Sequence, residues 1–312
     1  MQRLNYILVR LLQMIPVAVG ITIILFFMLR AIPGDPAVIR LGIRATLQGV
    51  ENLHRQMGLD KPVMVQYVIF LRDIFTLNLG DSFTFAVPVS SLIRQRLPIT
   101  LFLAVYATFL SVLISVPMAM LAALNKDRMP DHVIRGGFML ALGMPQFWLG
   151  IMLLLIFGLW IPLFPISGYG DTFLEHLWHI FLPAFTLALA QSSWLVRSLR
   201  SDVINVLRAD YVDFARAKGL REQFIFSRHI LRNSVLPTVT ILGLNIGYLV
   251  GGAVVVERVF SIPGMGSLMI DAIFARDYAI VQAVTLCFAL MVIMINLATD
   301  VTYSFLDPRV TL

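Results

Sequence analysis

The chain has 312 residues, of which 59% are hydrophobic and 13% charged, and its mean hydropathy is +0.86. So few charged groups do not cover a soluble domain of this length, and apolar runs of about 20 residues recur along it, so it reads as an integral membrane protein. The formal net charge of +6 would suit nucleic acid, but the basic residues stand at the ends of apolar runs rather than on one face with stacking groups, so membrane orientation explains them and no nucleic acid is expected.

In chain order, six spans are predicted: Leu8 to Leu29, Ile99 to Leu124, Ile134 to Trp160, Phe181 to Leu199, Val235 to Val256 and Ala279 to Val301. The fold class is therefore an all-α membrane protein of six transmembrane helices. The first span, within residues 1–30, follows Arg3 and Arg10, outruns a signal-peptide core and lacks a small-x-small cleavage site, so it reads as an uncleaved anchor. Residues 31–98 form a partly helical external subdomain, because ENLHRQMGLDKPVMVQYVIFLRDIF is too polar to span and too patterned for a linker. Residues 99–312 make a five-helix core with a charged loop at 200–234. Cys287 lies in an apolar segment as the one cysteine, which excludes a disulfide framework.

Orientation follows from the loops. Arg197, Arg200, Arg208, Arg216, Lys218, Arg221, Arg228 and Arg232 crowd the connection between spans four and five, whereas Pro162 to Ile180 contains no Lys or Arg. The first connection is cytoplasmic and the second external, which puts both termini in the cytoplasm.

The plain explanation of the charged loop is a retained cytoplasmic segment near anionic lipid heads. Its local grammar says more. Asp210 and Asp213 begin a short helical pattern, Lys218 stands near its end and Gly219 just past it, so both ends match the helix dipole and Gly supplies a left-handed stop. Tyr211, Phe214 and Ala215 share a face, and a short amphipathic helix in the cytosol lies on lipid or docks in a partner's groove, with Ala215 and Ala217 keeping it slim. Pro237 is expected in the first turn of span five, where no backbone donor is needed.

DFARAKG, followed by RHILRN and LP, resembles the cytoplasmic coupling loop of ABC importer permeases, in the form of the dipeptide, oligopeptide and nickel permease family. Asp213, Phe214 and Ala215 take the places of the general Glu-Ala-Ala, Gly219 the Gly, and Leu236-Pro237 follow later than the general spacing. IPGDP at Ile32 to Pro36, GLDKPVMVQY at Gly58 to Tyr67, VFSIPGMGSLMIDAIFARDYAIVQ at Val259 to Gln282 and DPR at Asp307 to Arg309 are similar to the same family, in order along the chain.

The resemblance implies a bacterial inner-membrane permease subunit working with a second related permease chain, two ATPase subunits and an external solute-binding protein. It also implies that the loop Tyr211, Asp213, Phe214, Ala215, Arg216, Ala217, Lys218, Gly219 and Leu220 is gripped by an ATPase. No G-x-x-x-x-G-K-[ST] occurs in the sequence, so ATP and Mg are expected on the partners, with no cofactor in this chain and no catalysis by it. The implied cargo is a di- or oligopeptide, with nickel or another metal chelate as the alternative.

Three rival chemistries are weaker. An ion-coupled secondary transporter needs ionisable groups at mid-membrane, and Asp300 stands near a span end. Gly168-Tyr169-Gly170-Asp171 matches the G-x-G-D of intramembrane aspartyl proteases, but no second mid-span Asp faces it. Glu175, His176 and His179 have helical spacing but not the H-E-x-x-H order, and next to Trp178 they read as interface anchors rather than a metal site. The expected path residues are Gln191, Ser192, Ser193, Asn245, Gly247, Tyr248 and Gly251, which offer hydrogen bonds without charge pairing. Gly243, Gly247 and Gly251 make a smooth face on span five, read equally as helix packing and as a path lining.

Overall fold

The computed structural model describes residues 2–31, 35–41 and 46–306. Among them the elements are helical, with a single isolated bridge between Asp81 and Pro88. In chain order they are α1 (Gln2–Ala31), α2 (Pro36–Leu41), α3 (Leu47–Met57), α4 (Val63–Phe75), α5 (Val89–Leu124), α6 (Met129–Gly143), α7 (Gln146–Leu154), α8 (Phe173–Leu207), α9 (Asp210–Ala217), α10 (Glu222–Ile225), α11 (Arg232–Val259), α12 (Met265–Ala275) and α13 (Tyr278–Leu306). A π-helical turn, Leu155–Trp160, extends α7, and another, Phe226–Leu231, joins α10 to α11.

Five of these helices, within α1, α5, α8, α11 and α13, are each long and apolar enough to cross a membrane. The third expected span is not one helix: Met129–Gly143 and Gln146–Trp160 meet at 108°. Pro145 has no N–H and forces Met144 into extended geometry, φ −85° and ψ 134°, so α6 stops just before it. Hydropathy sums the run without sensing this break. Six spans result when the bent pair counts as one. Pro237 also departs from expectation, because it sits inside α11 rather than in a first turn. Helical backbone already runs through the π-helical turn before Arg232.

The bundle is organised on α5 against α8. Both carry small residues at helical spacing on the shared side. On α5 these are Ala104, Ala107, Ser111, Ser115 and Ala119; on α8 they are Ala184, Ala188 and Ser192, all buried. Lipid is as apolar as a leucine side chain, so helices associate by close backbone approach and interhelical hydrogen bonds rather than by the hydrophobic effect. Ser192 Oγ donates to the Ser111 carbonyl across the seam at 3.2 Å.

The segment before α5 is tied down at two places. On α1, Thr22 meets the Tyr67 hydroxyl of α4 at 2.9 Å, Phe26 packs edge-on to Tyr67, and Arg30 stacks over Phe26 while donating to Gln66. Farther on, Asp277 at the α12–α13 turn accepts the Ser82 hydroxyl at 2.7 Å and the Thr84 N–H at 3.2 Å, 195 and 193 residues away in sequence. The segment expected to be partly helical forms α3 and α4 with GLDKP as the turn between them, Gly58 (φ +66°) ending α3. Of the quoted motifs, Ile32 to Gly34 of IPGDP and all of Asp307 to Arg309 lie outside the described residues.

Candidate coupling helix and translocation path

The charged loop forms the eight-residue helix α9, with Asp210 and Asp213 in its first turn. Gly219 has φ +75°. Its N–H bonds the Arg216 carbonyl at 2.9 Å, and the Leu220 N–H bonds the Ala215 carbonyl at 3.3 Å, which satisfies carbonyls that a helix end leaves open.

The faces of α9 divide differently from expectation. Ala215 does not slim the helix for a partner: it is 5% exposed, and with Val212, which is fully buried, it seats α9 on this chain's own core. That core contains Ala119, Met120 and Ala123 of α5 and Val196, Leu199 and Val203 of α8. Tyr211 and Phe214 point outward instead, 43% and 62% exposed. The Tyr211 hydroxyl accepts from Asn233 at 3.1 Å, and Lys218 Nζ lies 4.6 Å above the Phe214 ring. Ala217 and Leu220 are exposed. Arg216 bridges Glu222 at 2.9 Å and Asp213 at 3.4 Å. The Glu222 carboxylate holds its pKa above the ordinary guanidinium value, so the cation is permanent. The helix is thus screwed into its own bundle on one side and offers aromatic and basic groups on the other.

The expected path residues do not converge. Ser192 is spent inside the α5–α8 seam. Gln191 is 4% exposed, and both its amide atoms lack a partner among the described residues. Ser193 donates to Leu189 and lines a cavity between α6 and α8. On α11, Tyr248 is 80% exposed and Gly251 is open, whereas Gly247 packs near Val292 and a Cβ on Gly243 would collide with Thr299 of α13. The glycine face therefore serves packing at its first end and openness at its last. Asn245 Nδ2 is buried without a partner among the described residues.

Besides Asp277, two buried carboxylates among the described residues went unremarked in the sequence. Glu257, fully buried at the end of α11, accepts Thr100 Oγ1 at 2.6 Å, Gly266 N–H at 2.7 Å and Ser267 N–H at 3.1 Å. It therefore caps the N-terminus of α12, where the helix dipole favours an anion. Asp131, fully buried in the first turn of α6, takes a bidentate bond from Arg200 of α8 at 2.6 and 2.5 Å. The signal available for both was a carboxylate within or beside an apolar run, which is costly unless partnered.

His176 and His179 are held by local structural contacts. Glu175 closes a capping box with Thr172, His176 bonds the Tyr169 carbonyl at 2.8 Å while stacking on its ring, and His179 bonds the Glu175 carbonyl. Among the described residues no group of three His, Cys, Asp or Glu side chains is arranged to hold a metal ion.

Residues 115–312 match the family model described as binding-protein-dependent transport system inner membrane component, and residues 3–104 match the model for the N-terminal part of such membrane components. The chain belongs to this family. Over 311 residues it is 37% identical to the oligopeptide transport system permease protein AppB of Bacillus subtilis (strain 168), covering 98% of each chain. It is 36% identical to a putative peptide transport system permease protein of Brucella abortus (strain 2308), covering 97% of this chain and 98% of that one. Against the glutathione transport system permease protein GsiC of Salmonella typhi it is 36% identical, covering 98% and 99%.

The fold is similar to that of the MetNI methionine ABC transporter in inward-facing conformations, with a TM-score of 0.59 at 13% identity over 69% of this chain and 96% of that one. It is also similar to an amino acid ABC transporter, with a TM-score of 0.52 at 14% identity over 71% and 95%. The chain is a multi-pass permease subunit of a bacterial ABC importer, a family not itself catalytic. The expected class stands, and the ion-coupled and proteolytic rivals fall.

Proposed function

We propose that this permease imports di- or oligopeptides delivered by an external binding protein, together with a second related permease chain and two ATPase subunits that hold ATP and Mg. The observation that carries the reading is α9: Val212 and Ala215 anchor it within the bundle, while Tyr211, Phe214, Arg216 and Lys218 stand outward for a soluble partner. An ATPase moving Phe214 thereby moves α5 and α8 through the same small core.

Peptide is the cargo supported by relatives 36–37% identical over nearly the whole chain and named for oligopeptide, peptide and glutathione transport. Nickel and other metal chelates are not favoured. On this reading Tyr248, Asn245 and Gly251 of α11 face the path, which the second permease chain completes. Residues 31–98 cap the external mouth, and both termini are cytoplasmic. Uptake of a labelled di- or oligopeptide should be lost in cells lacking this gene while nickel accumulation is unchanged; the reverse pattern overturns the cargo. Cysteine labelling after Leu77 and after Phe173 should report the outside, and a cytoplasmic signal at either site overturns the topology.

A further inference from the structure

Between α6 and α8, at the end of α8 that leads to α9, lies a groove of about 330 Å³ whose polar lining is Arg135, Arg197 and Arg200 with Ser201 and the buried Ser193. Arg200 is already committed to Asp131 through both carboxylate oxygens. Arg135 and Arg197 are exposed, and among the described residues neither is held by an ion pair or side-chain hydrogen bond. The groove therefore offers the Arg135 and Arg197 guanidinium groups, the first of which also acts across space on Asp131, and the Ser201 hydroxyl one helical turn beyond Arg197.

Its remaining wall is apolar: Phe138, Met139, Leu142 and Val196. Met139 and its neighbour Leu140 are 73% and 66% exposed, so the wall runs out onto the exposed apolar surface of α6. A soluble anion has no use for that wall. An amphiphile with an anionic head uses both halves.

We propose that this groove binds the headgroup phosphate of an anionic membrane phospholipid, with an acyl chain lying along Met139 and Leu142. Arg135 and Arg197 straddle the phosphate, and Ser201 donates to its oxygens or to the glycerol. Basic pockets between membrane helices on the cytoplasmic side hold anionic headgroups for this reason. The site has a route to the coupling helix: Phe138 and Val196 belong to the same small core that seats Val212 and Ala215 of α9. An occupied groove stiffens that seat, so ATPase engagement depends on the lipid. This goes beyond the transport reading and does not require the cargo to be a peptide.

The test uses the chain purified with its co-purifying subunits, loaded from vesicles of phosphatidylglycerol or of phosphatidylethanolamine, with bound lipid counted by native mass spectrometry. The wild type should retain phosphatidylglycerol about tenfold better than Arg135→Gln/Arg197→Gln, while the zwitterionic lipid is held alike by both. Arg135→Lys/Arg197→Lys should keep most of the retention, which separates lost charge from misfolding. Met139→Gln should weaken lipid retention with both arginines in place. Equal retention of the two lipids by the wild type overturns the proposal whatever the variants do. So does displacement of the lipid by millimolar inorganic phosphate, which marks a free-anion site, or by a peptide with a free carboxylate, which marks a station on the transport path.

Discussion

The Glu257 carboxylate receives the Gly266 N–H at 2.7 Å, and a Cβ on Gly266 would stand 2.4 Å from Val254 Cα and 2.9 Å from that same carboxylate oxygen. The Ser-Ile-Pro-Gly-Met-Gly segment is thus shaped around one buried acid: Gly264, too, would put a Cβ 2.3 Å from Glu257 Cδ. Glu257→Ala orphans the Gly266 and Ser267 N–H groups and the Thr100 hydroxyl together, and should cost about 2–4 kcal/mol. Gly266→Ala must push backbone rather than a flexible tip and should cost about 1–3 kcal/mol. Glu257→Gln keeps one acceptor and should fall between Glu257→Ala and wild type. Thermal unfolding of the detergent-solubilised protein measures all three.

Gly219 has open space around it, so a larger side chain meets no neighbour and only the backbone objects. At φ +75° a β-branched residue is strained by about 1–2 kcal/mol or more. Gly219→Val should leave membrane insertion intact and abolish transport or ATPase co-purification; normal uptake with normal complex recovery refutes the role. Phe214→Ala removes an exposed ring and should leave thermal stability unchanged while reducing recovered ATPase. Arg216→Ala should weaken docking less, because a half-exposed cation in surface pairs contributes little.

His54 Nε2 lies 2.8 Å from Asp35 Oδ1, and that hydrogen bond is the main reason the Asp35 carboxyl titrates below the ordinary range, with the Ala37 N–H assisting. A depressed folded pKa contributes stability that is present above the unfolded value, about 3.9, and disappears as pH falls through the folded one. The packing of α3 should therefore be insensitive to pH above about 5 with respect to this group and loosen only below about 4. Amide exchange across residues 47–57 reads it. In His54→Ala the protection lost in acid should already be reduced at neutral pH; unchanged exchange would show that Asp35 does not hold α3.

The spans and the left-handed stop at Gly219 were legible because each depends on residues near in sequence: apolar length for the spans, and Asp213, Lys218 and Gly219 for the capped helix. The bend at Pro145 was missed because hydropathy has magnitude but no direction, although the proline was in plain view. The division of α9, with Val212 and Ala215 inward and Tyr211 and Phe214 outward, was misread because a helical face says what is apolar but not which side its own bundle occupies. Ser192 looked like a path residue and is a seam residue, since its partner, the Ser111 carbonyl, lies 81 positions away. Glu257 with Thr100 and Asp131 with Arg200 are separated by 157 and 69 positions, and only the packed bundle brings such pairs together.

The Asp131–Arg200 pair clamps the start of α6 to α8 beside the core that holds α9. The Asp131 side chain is fully buried and that of Arg200 is 15% exposed, so removing one partner strands the other. Arg200→Ala leaves the carboxylate with the Asp127 N–H as its remaining bond and should cost about 3–5 kcal/mol, far more than an exposed pair. Replacing both with apolar residues of similar volume, Asp131→Leu with Arg200→Met, removes the stranded charge and should recover most of that loss. The two single variants and the double variant form a cycle read by thermal unfolding, and additivity within about 0.5 kcal/mol would show that the pair is not coupled. Ile134 and Phe138 of α6 pack on the core that seats Val212. Arg200→Ala should accordingly reduce ATPase co-purification at temperatures where the protein is still folded, and the double variant should restore it in step with stability. Restored stability without restored ATPase recovery would assign Arg200 a contact with the partner rather than a clamp on α6.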